Sequence, residues 1–328
     1  MPILGRSADV TVQTRIQQAL AVRAGEMASQ DRYQPVRPAL DDLATSDRMC
    51  GAPGCNGGWS MPWKNRRRPI FEQEWGCSSR CLTTLVKAAV RRETGVGARE
   101  DRDEPHRHRV PLGLVLLAQG WISHPQLQTA LAAQRASGRG RIGDWLAQSC
   151  GLAEERIARG LGVQWSCPVL TVDGFSPAAM ALVMPKRLIA EYGLVPLRFA
   201  GSNLLYLAFE ERMDATVALG VEQMCGLKVE SGLLAATHFQ AVRAAVLEAE
   251  GVPVQMHLVA DRDGLTAGIV RAMEKNQPVA ARLVRVHQYY WLRMWLEAGA
   301  MRGVGSVPTS LEDVEDCLFL VGKNIQAP

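Results

Sequence analysis

Two successive segments of this chain repeat one pattern at a fixed offset, and this repeat constrains the fold more strongly than any other feature. The copies read LGLVLLAQGWISHPQLQTALAAQ and IGDWLAQSCGLAEERIARGLGVQ, and Gly113 aligns with Gly143, thirty residues later. The same frame pairs Leu112 with Ile142, Leu116 with Leu146, Ile122 with Leu152, Leu127 with Ile157, Leu131 with Leu161 and Gln134 with Gln164. Each copy predicts a short helix, a glycine-containing break and a second helix with apolar residues spaced by four. Residues 109–165 are therefore expected to form two helical hairpins packed into one compact bundle.

The segment after the repeat, residues 166–250, changes to short apolar runs that are typical of a small α/β layer. LVPLRFAGSNLLYLAF predicts a β-hairpin that turns at Gly201 and Ser202. MDATVALGVEQMCG predicts a helix, KVESGLL a strand, and AATHFQAVRAAVLEAEG a further helix that ends at Gly251.

Residues 251–328 are expected to form a helical carboxy-terminal extension. Its clearest element is PVAARLVRVHQYYWLRMWLEAG, which predicts one long helix with an aromatic-rich face that docks on another surface. The residues spaced to form that face are Val279, Leu283, Val286, Tyr290 and Met294. With the other segments, the sequence predicts an α+β multidomain protein: a small four-cysteine zinc finger, a tandem helical-hairpin bundle, a small α/β layer and this helical extension.

The 328 residues are 47% apolar and 21% charged, the balance of a soluble globular protein with two or three domains. Residues 1–47 lack core periodicity and are expected to be flexible, and residues 95–108, rich in charge, are expected to be a linker. The first twenty residues lack the apolar stretch of a secretory signal, and no apolar run approaches the roughly 20 residues of a membrane span. A cytoplasmic protein is predicted.

Four of the eight cysteines lie close together in the sequence as two pairs, Cys50 with Cys55 and Cys77 with Cys81. In a chain without a signal peptide, clustered cysteines favour metal binding over disulfides. Four thiolates suit tetrahedral Zn²⁺, and the second pair precedes LTTLVKAAVRRE, which predicts a helix. The layout resembles a treble-clef zinc finger over residues 48–94 with a structural zinc ion. Four buried or free thiols are the alternative.

A basic run lies between the two cysteine pairs and supports a second hypothesis for function. Lys64, Arg66, Arg67 and Arg68 are interleaved with Trp63 and Phe71, and such a run contacts phosphates or stacks on bases in nucleic-acid-binding modules. A solvated basic loop is the plainer interpretation, because the net charge of the whole chain is only +4.

The repeat pattern, LG-x2-L-x3-G-x-[IL]-x4-L-x3-L-x2-Q, resembles the MshEN domain, the amino-terminal regulatory domain of type II secretion and type IV pilus assembly ATPases. The stretch from LVMPKRLIAEYGLVPLRF to VESGLLAA resembles the α/β part of the same domain, so the resemblance covers about residues 109–248. In that family the tandem motif binds cyclic-di-GMP through an Arg-Leu-Gly signature. The resemblance therefore implies that the chain binds cyclic-di-GMP. It also implies a protein partner that belongs to secretion or pilus machinery.

Placed on this sequence, the signature falls on Pro111, Leu112 and Gly113 in the first copy and on Arg141, Ile142 and Gly143 in the second. The first copy has lost its arginine, Pro111 has no backbone N–H, and in the second copy Cys150 stands where the family has a glycine. Loss of one guanidinium anchor is expected to weaken binding roughly tenfold or more. The ligand residues that the resemblance implies are Arg109, Leu112, Gly113, Leu116, Gln134, Arg141, Ile142, Gly143, Leu146 and Gln164. Alternatively, the same leucines and glycines are bundle core and tight turns retained after the ligand was lost.

No catalytic motif is present in the sequence. The G-x4-GK[ST] loop of the resembled ATPases is missing, and so are H-E-x2-H and G-x-S-x-G. We therefore expect a non-enzymatic bacterial regulatory or adaptor protein that senses cyclic-di-GMP and contacts a protein partner. The alternative is a zinc-finger regulator associated with nucleic acid.

Overall fold

The computed structural model describes residues 50–57, 70–95, 109–210, 213–297 and 304–322. The expected flexible segment at 1–47, nearly all of the expected linker and the basic run at 64–68 lie outside these residues. Among the described residues, no helix combines the length and the apolar character that a membrane crossing requires.

The described residues of the cysteine-containing module form a minimal hairpin and one helix. Strands β1 (Ile70–Phe71) and β2 (Glu74–Trp75) pair antiparallel, and helix α1 (Ser79–Gly95) follows directly. The buried residues of α1 recur with helical spacing at Leu82, Val86, Ala89 and Val90. One face of α1 is therefore buried against the rest of the protein, as expected of an amphipathic helix.

The tandem repeat folds into the two predicted helical hairpins. The first consists of α2 (Leu112–Ala118) and α3 (His124–Ser137), and the second of α4 (Ile142–Cys150) and α5 (Glu154–Trp165). Ser123 and Gln126 form a reciprocal capping box at the start of α3. The hydroxyl of Ser123 accepts from the backbone N–H of Gln126, which has no acceptor within the helix. Helix α3 packs on α4 and α5 packs on α2, so the hairpins enclose one shared core.

The α/β layer follows the sequence-based expectation closely. Its elements are α6 (Pro177–Met180), α7 (Lys186–Tyr192), β3 (Leu194–Ala200), β4 (Leu204–Phe209), α8 (Ala215–Cys225), β5 (Lys228–Leu233) and α9 (Ala236–Glu248). Strands β3 and β4 form the predicted hairpin, and β5 pairs parallel to β4 after the crossover through α8. The three strands and their helices share a buried core with the carboxy-terminal part of the chain.

The carboxy-terminal segment forms most of a second sheet. Its elements are β6 (Val254–Val259), α10 (Arg262–Asn276), β7 (Ala280–Val286), β8 (Tyr289–Trp295) and β9 (Val314–Val321). The six-stranded sheet has the order β2-β1-β7-β8-β9-β6, in which β6 and β9 are parallel and the β7, β8 and β9 pairs are antiparallel.

The predicted long helix over Val279, Leu283, Val286, Tyr290 and Met294 is wrong, because this segment is the β7–β8 hairpin that turns at His287 and Gln288. Both faces of the sheet are covered, so all seven residues of β8 are buried and no polar alternation marks the strand. Tyr290, Leu292 and Met294 face one cluster, while Tyr289, Trp291 and Trp295 face the other. For apolar runs of this kind, periodicity does not separate strand from helix, and the β-branched and aromatic content is the better indicator.

The cysteine-containing module is built into this carboxy-terminal sheet. Strand β1 pairs with β7 at Phe71 and Ala281, and α1 lies beside α10 on the same face of the sheet. Arg92 of α1 forms a bidentate pair with Glu72 at 2.6 and 2.7 Å. Phe71 and Ala281, which are 210 positions apart (281 − 71), therefore belong to one unit, and the bundle and the α/β layer are inserted between its two parts.

Candidate ligand-binding platform and metal centre

The four predicted cysteine ligands come together at the start of α1. Their sulfur atoms all lie within 4.8 Å of one another, with 3.6 Å between Cys55 and Cys77 and 3.5 Å between Cys77 and Cys81. A tetrahedral zinc site with bonds of about 2.3 Å has sulfur atoms about 3.8 Å apart. Within the described part of the chain, this group of four thiols could hold one metal ion, and the spacing fits zinc.

Backbone amides support the cysteine sulfurs as they do in metal–thiolate sites. The N–H of Cys77 donates to Sγ of Cys50 at 3.3 Å, and the N–H of Gly57 donates to Sγ of Cys55 at 3.4 Å. A hydrogen bond with Ser78 lowers the pKa of Cys81 to about 7, whereas hydrogen bonds with Cys81 and Cys55 raise that of Cys77 to about 12. Because Zn²⁺ binds cysteine as the thiolate, metal binding at this cluster would release protons.

Two glycines at equivalent positions of the repeat allow the helices of each hairpin to approach closely. A Cβ atom on Gly113 would lie 2.6 Å from Cδ1 of Leu127, and one on Gly143 would lie 3.1 Å from Cγ2 of Ile157. Leu127 and Ile157 are themselves related by the thirty-residue offset. The signature glycines therefore have a packing role in this fold, whatever the site binds.

Two glutamines make reciprocal contacts that relate the hairpins to each other. The Gln134 amide at the end of α3 donates to the carbonyl of Gly140 at 2.9 Å, just before α4. The Gln164 amide at the end of α5 donates to the carbonyl of Val110 at 2.7 Å, just before α2. Donors and acceptors both differ by thirty residues, so each hairpin holds the entry of the other in an approximately two-fold arrangement.

The predicted ligand residues fall into a buried group and an accessible group. Leu116 and Leu146 are fully buried in the bundle core, with Leu112 almost as buried and Ile142 packed at its edge. The accessible group contains the two arginines, Arg109 and Arg141, and the partly exposed glutamines.

The two arginines have different surroundings. The Arg109 guanidinium lies 3.3 Å from the ring centroid of Trp165, a cation–π contact that holds it half-buried against α5. The Arg141 side chain is 58% exposed at the start of α4, and its Nη1 atom lies 3.9 Å from Oε1 of Glu210. Sequence reasoning missed Trp165 and Glu210, and nothing in the local sequence indicates that Glu210 lies beside the bundle.

The two hairpins of the bundle, residues 109–165, together form the candidate ligand-binding platform. They differ in chemistry at equivalent positions of the repeat. The first copy exposes Val110 and Leu114, which are 43% and 50% accessible, on either side of Pro111. The second copy has Gly140, Arg141 and Asp144 at the equivalent positions. At these three positions the first copy is therefore apolar, whereas the second copy is polar and includes the Arg141 guanidinium.

The second hypothesis used a basic run with Trp63 and Phe71 beside it, and Phe71 is buried in the core under the carboxy-terminal sheet, where it cannot stack on a base. Lys64, Arg66, Arg67 and Arg68 lie outside the described residues, and the nucleic-acid interpretation stays a prediction.

No protein-family model and no curated protein matches the chain. Among solved structures, one of MshE with cdg is similar, at 26% identity over 42% of this chain and 98% of that chain, with a TM-score of 0.34. Two crystal forms of the N-terminal domain of XpsE are 16% identical and cover 41% and 40% of this chain and 92% and 91% of their own, with TM-scores of 0.29 and 0.24. These are domains of the kind that the tandem repeat resembles, and TM-scores at this level assign no activity to the chain.

Proposed function

We propose that the tandem bundle binds cyclic-di-GMP and that the protein is a non-catalytic adaptor that passes this signal to a protein partner. The observation that carries the proposal is the exposed Arg141 guanidinium at the entry of the second hairpin, on a duplicated scaffold. A cyclic dinucleotide offers two phosphates and two guanines, and a guanidinium fork can bond either group in bidentate fashion. A ligand with two equal halves also suits an approximately two-fold platform.

The charge of the bundle supports an anionic ligand. Residues 109–164 contain six arginines and three acidic residues. Opposite charge raises the rate of encounter and the affinity for a doubly charged nucleotide, especially at low salt. Because Pro111 replaces the arginine of the first copy, binding is expected to be weaker than at a site with two anchors.

Calorimetric titration of the full chain with cyclic-di-GMP tests this proposal. Arg141→Ala is expected to weaken binding roughly tenfold or more, because it removes the remaining signature guanidinium. Arg91→Ala is the matched control, since it removes the same charge from the exposed surface of α1. Absence of heat at high micromolar ligand, or equal losses in the two variants, would overturn the proposal.

Restoring an arginine in the first copy provides a second, independent test, because it should raise the affinity for cyclic-di-GMP. Pro111 and Arg141 precede equivalent helices with similar extended backbones, at φ −55°, ψ 140° and φ −99°, ψ 151°. An arginine at position 111 is therefore compatible with the fold and regains a backbone N–H. We expect Pro111→Arg to tighten binding roughly tenfold, and an unchanged affinity would contradict the assignment of the signature.

We also propose that Cys50, Cys55, Cys77 and Cys81 hold a structural zinc ion. Four protein ligands leave no coordination position for substrate, so this metal would stabilise the fold. Elemental analysis of purified protein is expected to find about one zinc per chain, with loss of the metal in Cys77→Ser and retention in the control Cys150→Ser. Less than about half an equivalent in the wild-type protein would contradict tetrahedral coordination.

As the partner, we propose a component of secretion or pilus machinery, the class that the sequence resemblance implies. The absence of a phosphate-binding loop from the sequence supports an adaptor without its own motor activity.

A further inference from the structure

A carboxylate from the α/β layer reaches the arginine on which the proposed ligand site depends. Oε1 of Glu210 lies 3.9 Å from Nη1 of Arg141, and the two side chains are 29% and 58% exposed. The residues are 69 positions apart in sequence, and the contact crosses from the bundle to the end of β4. This contact brings a negative charge to the place where the proposal requires a phosphate or guanine edge.

The position of Glu210 is fixed by the α/β layer. Its backbone N–H donates to the carbonyl of Gly193, and its Oε1 accepts from Nε2 of Gln240 on α9 at 2.7 Å. Because its backbone is held at the end of β4 and its carboxylate is held by Gln240, Glu210 keeps its place without Arg141 and is a preorganised neighbour of the guanidinium.

A second polar contact attaches the same hairpin to the same layer. Glu154, the first residue of α5, accepts from the backbone N–H and the hydroxyl of Thr237 at 3.1 and 2.7 Å. Helix α9 therefore bears both Thr237, which holds α5, and Gln240, which holds Glu210. The contact between Arg141 and Glu210 adds the start of α4 to this attachment.

We propose that Glu210 competes with the ligand for Arg141, and that ligand binding releases the start of α4 from the α/β layer. The inference rests on the proposed cyclic-di-GMP site. Since the carboxylate and a phosphate oxygen are both anionic acceptors for one guanidinium, occupancy of one weakens the other. Coupling of this kind is reciprocal. The factor by which the contact between Glu210 and Arg141 lowers the affinity for the ligand equals the factor by which a bound ligand weakens that contact.

The size of the effect follows from the exposure of the pair. Exposed ion pairs change an equilibrium constant by up to about fivefold. Glu210→Gln keeps the shape of the side chain and an oxygen that accepts from Gln240, and it removes only the charge. We expect this variant to bind cyclic-di-GMP about two- to fivefold more tightly than the wild-type protein at low salt.

A double-mutant cycle on the full chain tests the competition. Wild type, Glu210→Gln, Arg141→Ala and the double variant are titrated with cyclic-di-GMP, with Glu155→Gln as a control for loss of one negative charge near the bundle. The expected result is a gain from Glu210→Gln that disappears when Arg141 is alanine, and no comparable gain from Glu155→Gln.

The possible failures are distinguishable. If the wild-type protein and Glu210→Gln both give no heat at high micromolar ligand, the proposed function fails and this inference fails with it. If both bind with equal affinity, the site stands and the competition is refuted. A gain from Glu210→Gln that persists in the Arg141→Ala background would also refute competition, because it would reflect general electrostatics.

Discussion

Replacing Asp316 by alanine is expected to destabilise the protein strongly, because it leaves the guanidinium of Arg293 buried without its charge partner. The two residues face each other across β8 and β9, are fully buried, and form a bidentate pair with both bonds at 2.8 Å. Asp316 also accepts from the indole of Trp291 at 2.9 Å, and Arg293 donates to the carbonyl of Val183 at 2.9 Å. The pair thus joins the six-stranded sheet to the α/β layer.

The size of the expected loss of stability follows from the buried guanidinium and the buried indole that Asp316→Ala leaves without a partner. Burial by itself lowers the pKa of Arg293, but the charge and hydrogen bonds of Asp316 outweigh it and hold that pKa above its ordinary value. Breaking a buried pair by removing one partner costs about 3–5 kcal/mol, and an unsatisfied indole N–H adds about 1 kcal/mol. In urea unfolding, a loss of about 4–6 kcal/mol corresponds to a midpoint lowered by roughly 1–2 M or more.

Urea unfolding monitored by tryptophan fluorescence measures this change, because Trp291 and Trp295 lie in the affected core. The double variant Arg293→Met/Asp316→Leu is the matched control, since it removes both charges, and it is expected to recover much of the loss. A midpoint for Asp316→Ala within about 0.3 M of the wild-type value, or a double variant as unstable as the single one, would refute an uncompensated buried charge as the cause.

Three further predictions concern the metal site, the repeat and a helix cap. Removing the proposed zinc by chelation, or Cys77→Ser, is expected to increase hydrogen exchange at the amides of Glu72 and Arg285, because Glu72 donates to the carbonyl of Ala281 in β7 and Arg285 in β7 donates to the Glu93 carboxylate in α1; unchanged protection of both amides would refute the coupling. Gly113→Ala is expected to lower the melting temperature more than Gly143→Ala, because the added methyl lies closer to Leu127 than its counterpart does to Ile157; the reverse order would contradict the packing argument. Asp214 caps the start of α8, where its carboxylate accepts from the backbone N–H groups of Thr216 and Val217 and lies 2.6 Å from Nε2 of His287. Burial raises the pKa of Asp214, but the hydrogen bonds with His287 and with the two backbone amides outweigh burial and hold that pKa below the ordinary 3.8. The carboxylate therefore stabilises the fold above that pH, and the stability difference from Asp214→Asn should shrink as pH falls below about 4, as urea titrations at two pH values would measure.

The bundle and the α/β layer could be predicted from sequence because their signals are local. The thirty-residue repeat fixed which helices correspond, and Ser123 and Gln126 marked the start of α3 by a capping pattern that is visible in one dimension. The β3–β4 hairpin was predictable for the same reason, since a turn at Gly201 lies between two short apolar runs.

The features that sequence missed depend on distant partners. The β7–β8 hairpin was mistaken for a helix because one face is covered by α1 and α10 and the other by the α/β layer, which removes polar alternation. Glu210 reaches Arg141, and Trp165 lies under Arg109, only because the chain folds back on itself. Such side chains have no local pattern that marks them, so they require the three-dimensional structure.

The position of the cysteine cluster relates the proposed metal site to the carboxy-terminal sheet. The described elements of the module are two strands of two residues each and one helix, and small modules of this kind depend on a metal or on a larger neighbour. Here the larger neighbour is the carboxy-terminal sheet, over which α1 packs beside α10, and the four thiols at the start of α1 form the proposed metal site. The proposed metal binding at Cys77 would therefore be linked thermodynamically to the pairing of β1 with β7, a strand that begins about 200 residues later in the chain. The proposed ligand-binding bundle lies in the segment between these two strands.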